Sequence, residues 1–237
     1  MRSRTEAMAT EPNAIRDEGR AKVIRLTRPS VVVLSGPAAC GKSTFVARHF
    51  RPTQIISSDH ARALVCDDER DQRFQTQTFT LLHCLIEQRL SINRLCVVDS
   101  TALTASARQG LLELARRYRV PAVALLLDVP LETCLDHDAR RERTVGRQVI
   151  ERQYQLFEQA KSAIKQEGFE RVIELGGEDL DQVQIEIVFR PVPRAVTEAV
   201  PPERRRFAPR PSQPAAADEG NARDSKLPTP PSTRPPS

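Results

Sequence analysis

The chain alternates short apolar runs with longer segments in which apolar residues recur every three or four positions. The apolar runs predict strands that are buried on both faces, at 31–34, 54–57, 95–99, 122–128 and 171–175. The amphipathic segments predict helices at 42–50, 71–90, 104–118, 130–143 and 147–167. Because strands and helices alternate, the pattern predicts an α/β fold with a five-stranded parallel sheet and helices on both faces.

The composition changes near both ends of this pattern. Residues 191–237 hold 12 of the 18 prolines and few large apolar side chains, which is typical of a disordered segment. Residues 1–28 alternate charges without a long apolar run, and they predict a flexible N-terminal segment. The sequence therefore predicts one folded domain at 29–190, followed by a Pro-rich disordered tail.

The net charge of +5 comes from the two ends, since 1–28 and 191–237 carry +3 each and 29–190 carries −1. The charge of the folded domain therefore indicates no particular partner. The five cysteines and four histidines lack the spacings of a disulfide framework or a zinc site. No apolar run approaches the ~20 residues of a membrane span, and no secretion signal is visible, so we expect a cytoplasmic protein without a membrane partner.

Residues 36–43 spell G-P-A-A-C-G-K-S and match the phosphate-binding loop G-x-x-x-x-G-K-[ST] in full. The motif follows a predicted strand and opens a predicted helix, which directs backbone N–H groups and a helix N-terminus at phosphate. We therefore expect a P-loop NTPase fold that binds ATP and Mg²⁺, with Lys42 on the phosphates and the Ser43 hydroxyl on the metal. The predicted nucleotide-binding residues are Gly36, Pro37, Ala38, Ala39, Cys40, Gly41, Lys42, Ser43 and Thr44.

A carboxylate follows the second predicted strand in the stretch I-I-S-S-D-H-A-R. Asp59 lies at the carboxyl end of this strand, where a kinase places the group that accepts the proton of an attacking hydroxyl. Arg62 shares a helical face with Asp59 if a helix begins near Ser58. The spacing alone is equally compatible with a second hypothesis, in which Ser58 and Asp59 cap that helix.

The third predicted strand ends in V-V-D-S and has a carboxylate of its own. Asp99 either holds a Mg²⁺-bound water beside the loop or caps the next helix, and the sequence favours neither. Ser100 stands where a mechanical ATPase of the AAA type presents Glu, which favours a small phosphotransferase.

The folded domain has one dense basic cluster, in the stretch D-A-R-R-E-R-T-V-G-R-Q-V-I-E-R. Arg140 and Arg143 share one face of the predicted helix, and Gly146 breaks the helix after them. Such a run is usually a solvated helix face, but a small kinase also needs a lid whose arginines close over the transferring phosphoryl group. With a phosphate loop upstream, we favour an Arg-bearing helical lid.

Together these motifs resemble the P-loop 5′-hydroxyl polynucleotide kinase family, and in particular the kinase module of bacterial polynucleotide kinase–phosphatases that heal RNA ends. The matching stretches are G-P-A-A-C-G-K-S, I-S-S-D-H-A-R, V-V-D-S-T and R-R-E-R-T-V-G-R-Q-V-I. The resemblance extends over residues 31–189 and includes L-V-C-D-D-E-R-D-Q and K-Q-E-G-F-E-R-V-I-E-L.

The resemblance implies an ATP-dependent kinase that transfers the γ-phosphoryl group to a 5′-OH end of RNA or DNA, as in RNA repair. It implies that Lys42 and Ser43 contact the phosphates and Mg²⁺. It implies that Asp59 is the general base, and that Arg62 engages Asp59 and the acceptor phosphate.

The same resemblance implies that Arg140 and Arg143 are the lid arginines. Ala102 departs from the family, which often has asparagine at this point after its third strand. Two other hypotheses stay open on the residues. One is a P-loop kinase that phosphorylates the hydroxyl of a small-molecule alcohol, and the other is a nucleotide-binding protein without catalysis.

Overall fold

The computed structural model describes residues 22–142 and 144–190. The predicted tail at 191–237, residues 1–21 and Arg143 lie outside the described residues. Among the helices that are described, none combines the length and the apolar character needed to cross a bilayer.

Strands and helices alternate along the described chain. The strands are β1 (Val23–Arg28), β2 (Val31–Ser35), β3 (Ile55–Ser57), β4 (Cys96–Asp99), β5 (Ala122–Asp128), β6 (Arg171–Gly176) and β7 (Gln184–Phe189). The helices are α1 (Lys42–His49), α2 (Ser58–Cys66), α3 (Gln75–Ser91), α4 (Ala105–Arg117), α5 (Leu131–Ala139), α6 (Arg147–Ile164) and α7 (Asp179–Gln182). Single 3₁₀ turns precede β3 and α3, at Pro52–Gln54 and Gln72–Phe74.

The main sheet is parallel and has the strand order β3-β4-β2-β5-β6. The register pairs Val33 with Val98 and Ser57 with Asp99, so β2, β3 and β4 end at one common edge. This arrangement confirms the predicted fold class, a five-stranded parallel sheet with helices on both faces. The carboxyl edge of such a sheet is where ligands of α/β proteins bind.

The central strand β2 is buried on both faces. Its even-numbered residues Val32 and Leu34 belong to a core that includes side chains of α1, α5 and α6. Its odd-numbered residues Val31 and Val33 belong to a second core, formed with α3 and α4. This double burial explains why β2 reads as a continuous apolar run, and it holds the phosphate loop that follows it on a rigid base.

The folded part of the chain begins earlier than the sequence analysis expected. The segment predicted as flexible, 1–28, includes β1, which pairs in parallel with β7 in a separate two-stranded sheet. Ile24 and Leu26 are buried in the main core, whereas Val23 and Arg25 are exposed. This two-residue alternation is a strand signal that the short length of the segment concealed.

Candidate active site

Two glycines shape the loop between β2 and α1. A Cβ atom on Gly36 would lie 2.8 Å from Cys40 Sγ and 3.2 Å from the carbonyl oxygen of Leu127, so a larger residue does not fit there without a shift. Gly41 has φ +95° and is the residue directly before α1. That conformation is costly for residues with a side chain. These limits explain why the phosphate-binding motif requires glycine at both positions.

The N-terminus of α1 is open towards the cleft. No side chain caps it, and its first turn contains no acidic residue. Lys42 is only 8% exposed, and its Nζ donates to the carbonyl oxygens of Gly36 at 3.0 Å and Pro37 at 2.6 Å. Uncapped N–H groups and a positive dipole end, together with a fixed ammonium group, form a site for anions.

The carboxylate at the end of β4 lies beside the first turn of α1. Asp99 is 9% exposed and accepts a hydrogen bond from the Ser43 side chain. Burial raises the pKa of Asp99, the bond from Ser43 and the charge of Lys42 oppose this rise, and the nearby Asp59 carboxylate adds to it. The four predicted groups Lys42, Ser43, Asp59 and Asp99 are therefore close enough to interact electrostatically.

The start of α2 bears on the hypothesis that Ser58 and Asp59 cap this helix. Ser57 caps this helix, since its side chain accepts a hydrogen bond from the N–H of His60 at 3.3 Å. The Asp59 carboxylate is instead bound by Arg62, whose Nη1 lies 2.8 Å from Oδ1. Arg62 also donates to the carbonyl oxygen of Glu69 at 3.0 Å. With the cap supplied by another residue, Asp59 is available for chemistry.

The two members of this ion pair differ greatly in exposure. The side chain of Arg62 is 4% exposed, whereas that of Asp59 is 69% exposed. Asp59 lines the cleft and remains accessible while its buried partner holds one of its oxygens. A buried cation that orients an accessible carboxylate is an arrangement suited to proton acceptance.

A single cleft of about 920 Å³ connects these groups. Its floor is the phosphate loop and the ends of β3 and β4, and its sides are the N-terminal parts of α2, α3 and α4 and one face of α6. Its lining from the predicted site consists of Ala38, Ala39, Gly41, Lys42, Ser43, Asp59, Arg62 and Asp99. The further lining includes Gln75, Phe79, His83, Thr104, Arg141, Val145, Val149, Gln153 and Leu156.

The arginine cluster is arranged differently from the prediction. Helix α5 ends at Ala139, so the helix expected to reach residue 143 stops four residues earlier, and 140–146 form a connection to α6. The cause is Asp138, a buried carboxylate that accepts hydrogen bonds from the N–H groups of Val145 and Gly146. These bonds turn the chain back on itself, and we call residues 140–146 the 140–146 connection.

The position of each arginine follows from this turn. Among the described residues, the arginine of the 140–146 connection that lines the cleft is Arg141, while Arg140 is exposed at the end of α5. The prediction chose Arg140 because it extrapolated helical periodicity beyond Ala139. Arg143, the other predicted lid arginine, lies outside the described residues.

Two residues that the sequence analysis did not single out contact the phosphate loop. Gln153 Oε1 of α6 accepts a hydrogen bond of 2.7 Å from the backbone N–H of Ala38. His137 Nδ1 of α5 lies 3.0 Å from the carbonyl oxygen of Ala39. Neither residue belongs to a motif, and only the packing of α5 and α6 beside the loop brings them there.

The segment after Asp99 closes one side of the cleft. Thr101 accepts a hydrogen bond from the N–H of Gly36 at 3.2 Å, which ties the segment to the phosphate loop. Buried Arg108 donates to the carbonyl oxygen of Ala102 at 2.7 Å and pairs with Glu167 near the end of α6. Ala102, where the family often has asparagine, is thus a buried backbone anchor and has no polar side chain for a ligand.

Comparisons with known proteins agree with this architecture. A family model described as AAA domain matches residues 31–160, more than half of the chain. A chain in the structure of the Pnkp1/Rnl/Hen1 RNA repair complex is similar, with a TM-score of 0.50 and 15% identity over 58% of this chain and 47% of that chain. The present chain therefore spans less than half the length of that protein.

Other solved structures are similar with lower scores. Kti12 from Chaetomium thermophilum, in complex with ADP-AlF3, has a TM-score of 0.48 and 15% identity, over 64% of this chain and 94% of that chain. Shikimate kinase from Acinetobacter baumannii has a TM-score of 0.40 and 16% identity, over 65% and 89% of the two chains. No curated protein matches the sequence.

The family model includes the motifs that carry the resemblance, and the chain of the RNA repair complex shares the fold. The match covers β2, β3, β4 and β5 of the main sheet, the phosphate loop and most of α6. The chain has a P-loop kinase-like fold and belongs to the AAA domain family.

Proposed function

We propose that this protein is an ATP-dependent kinase that transfers the γ-phosphoryl group to the 5′-OH end of a polynucleotide. The observation that carries the proposal is the Asp59 carboxylate, held by buried Arg62 at 2.8 Å and facing the cleft that Lys42 lines. A nucleotide-binding protein without catalysis has no need of an accessible, oriented carboxylate beside its phosphate loop.

The reaction assigns a role to each group. Asp59 accepts the proton of the attacking hydroxyl as the oxygen–phosphorus bond to the acceptor forms and the bond between the γ-phosphorus and the β,γ-bridging oxygen breaks. Arg62 holds the carboxylate in place. Lys42 and Arg141 stabilise the negative charge on the transferring group and on the departing diphosphate.

The donor groups beside the loop fit Mg²⁺. The Ser43 hydroxyl and the Asp99 carboxylate are hard oxygen ligands and already hydrogen-bond to each other. Mg²⁺ binds proteins through one or two such groups together with substrate phosphates, and it neutralises charge on those phosphates. Ser43 would coordinate it directly, and Asp99 would hold a coordinated water. The described residues contain no cluster of three or more His, Cys, Asp or Glu side chains that could hold a metal ion.

A nucleic-acid acceptor is favoured by the aromatic and apolar side chains that line the cleft. Phe79 and His83 of α3 line it, with ring centroids 6.4 Å apart, and Val149 and Leu156 of α6 line it as well. Aromatic faces in a cleft of this kind bind bases by stacking. The motif resemblance and the similarity to a chain of an RNA repair complex support the same acceptor.

The test is phosphate transfer from labelled ATP to oligonucleotides with 5′-OH ribose or deoxyribose ends, measured beside a panel of small alcohols. We expect the oligonucleotides to be phosphorylated and the Lys42→Ala variant to lose this activity. If only a small alcohol were phosphorylated, the protein would be a small-molecule kinase and the proposed acceptor would be wrong. Nucleotide binding without transfer to any acceptor would contradict the kinase assignment.

A further inference from the structure

The 140–146 connection is attached to the phosphate loop on both of its sides. Before it, His137 of α5 lies 3.0 Å from the carbonyl oxygen of Ala39. After it, Gln153 of α6 accepts a hydrogen bond of 2.7 Å from the N–H of Ala38. The two contacts therefore hold two consecutive residues of the loop, one through its donor and one through its acceptor.

The contact with Ala39 assigns one hydrogen of the His137 ring. A carbonyl oxygen only accepts hydrogen bonds, so the hydrogen of the contact is on Nδ1 of His137. The residue it binds, Ala39, has φ +61°, a left-handed conformation that is uncommon for alanine. A bond to its carbonyl group helps to hold this peptide in place.

The end of the connection that leads into α6 is fixed as well. Asp138, next to His137, accepts from the N–H of Val145 at 2.8 Å and of Gly146 at 2.9 Å. The connection is thus closed at its base by Asp138 and bound to the loop at each flank. Arg141, which it carries, lines the cleft together with the loop.

We propose that His137 and Gln153 are positioning residues that keep the 140–146 connection in register with the phosphate loop. The proposal rests on the proposed function, because Arg141 is assigned there to the charge of the transferring phosphoryl group. The two residues touch the loop backbone and act through the placement of Arg141. A guanidinium group displaced by about 1 Å loses much of its effect on the rate.

Gln153→Met removes the acceptor oxygen at nearly constant length, and Gln155→Met is the matched control on the exposed side of the same helix. We expect kcat for transfer to fall about 10–100-fold in Gln153→Met. The Kd for ADP should stay within about twofold, because the glycine loop and Lys42 are unchanged. Gln155→Met should retain both values.

A second measurement is independent of catalysis. Trypsin cleavage between residues 140 and 147, followed by mass spectrometry, reports how often the 140–146 connection opens. Cleavage should be faster in Gln153→Met than in the wild type or in Gln155→Met. His137→Leu should have the same effect as Gln153→Met, and His137→Gln, which retains an N–H donor, should restore part of the loss.

Two outcomes would overturn the proposal. One is unchanged kcat and unchanged cleavage in Gln153→Met. The other is a parallel loss of ADP affinity, kcat and Tm, which indicates a purely structural contact. If the wild type transfers phosphate to no acceptor, the proposed function fails, whereas the cleavage comparison still decides whether Gln153 tethers the connection.

Discussion

The two sides of the cleft that face the acceptor are built in different ways. The Asp59 side is the first turn of α2, with a cap at Ser57 and a buried arginine behind the carboxylate. The 140–146 connection on the other side joins two helices, and Asp138 holds its end through the backbone N–H groups of Val145 and Gly146. The position of Asp59, the proposed proton acceptor, is thus set by secondary structure, and the position of Arg141 depends on a few individual contacts.

Because the two sides are built differently, we expect substitutions on them to have different effects. A capped helix with a 4% exposed arginine restricts Asp59 to one orientation before any ligand binds. A connection held by single contacts can be released by single substitutions. We therefore expect substitutions on the Asp59 side to act on chemistry, and substitutions on the other side to act on position and stability.

The largest expected effect is that of Asp59→Asn. It removes the proton acceptor at constant shape, so transfer should fall about 10²–10⁴-fold with unchanged ADP affinity. Asp67→Asn, at the other end of α2, is the control. Asp67 is in a left-handed conformation that asparagine also adopts readily. The general-base role is wrong if Asp59→Asn retains transfer and only lowers Tm.

The next prediction compares two neighbouring arginines. Arg141→Ala should reduce transfer about 10–100-fold, because Arg141 lines the cleft. Arg140→Ala should have a much smaller effect, because Arg140, at the end of α5, is not among the described residues that line the cleft. Initial rates at saturating ATP and oligonucleotide decide between them. A larger loss of transfer in Arg140→Ala than in Arg141→Ala would support the helix predicted from the sequence, which continues past Ala139.

A smaller effect on activity, combined with a loss of stability, is expected at Asp138. Asp138→Ala leaves the N–H groups of Val145 and Gly146 without their acceptor, which costs about 1–3 kcal/mol of the free energy of unfolding. Asp138→Asn keeps one acceptor oxygen and should lose less. Urea unfolding measures the difference. Equal stability of both variants and the wild type would show that other contacts shape the connection.

The smallest expected effect is a gain in stability, in the variant Asp99→Asn. Because burial raises the pKa of Asp99, the folded protein binds its proton more readily than the unfolded chain at pH values just above the ordinary value of 3.8. Stability from this group therefore falls as pH rises through that window. Above it, Asp99→Asn should raise Tm by about 2–4 °C for each kcal/mol recovered.

The gain in Tm of Asp99→Asn over the wild type should shrink as the pH is lowered towards 4. Phosphate transfer by the wild type should fall over the same pH range. Asp136→Asn, an exposed substitution on α5, serves as the reference for the pH series. A lower Tm of Asp99→Asn at neutral pH would mean that the bond from Ser43 outweighs the cost of burial. Differential scanning fluorimetry from pH 4 to 8 measures the change in Tm, and initial rates over the same pH series measure transfer.

Much of this arrangement could be predicted from the sequence where local pattern determines structure. The phosphate loop is recognisable from its sequence because a larger residue does not fit at its glycine positions. A Cβ atom on Gly36, for example, would lie 2.8 Å from Cys40 Sγ. The inner strands β2, β4 and β5 are nearly continuous apolar runs because both of their faces are buried. Asp59 and Arg62 are three residues apart on one helix, so their pairing is also a local property.

The rest depends on contacts between distant segments. The end of α5 is determined by hydrogen bonds from Val145 and Gly146 to Asp138, which no periodicity reveals. Gln153 and Ala38 are distant in sequence and meet only because α6 packs beside the loop. The strand β1 needs β7 as its partner, so its six residues are a weak signal by themselves.

The pairing of β1 with β7 has a practical consequence for experiments on this protein. The N–H of Arg190 donates to the carbonyl oxygen of Arg28 at 3.0 Å, just before β2 begins. Reporter groups attached at Arg190 therefore lie at the edge of the main sheet where β2 begins. They are separated from the cleft by the length of β2, about 16 Å for its five residues. Fluorescent labels or surface tethers can be placed there while the entrance for nucleotide and acceptor stays clear.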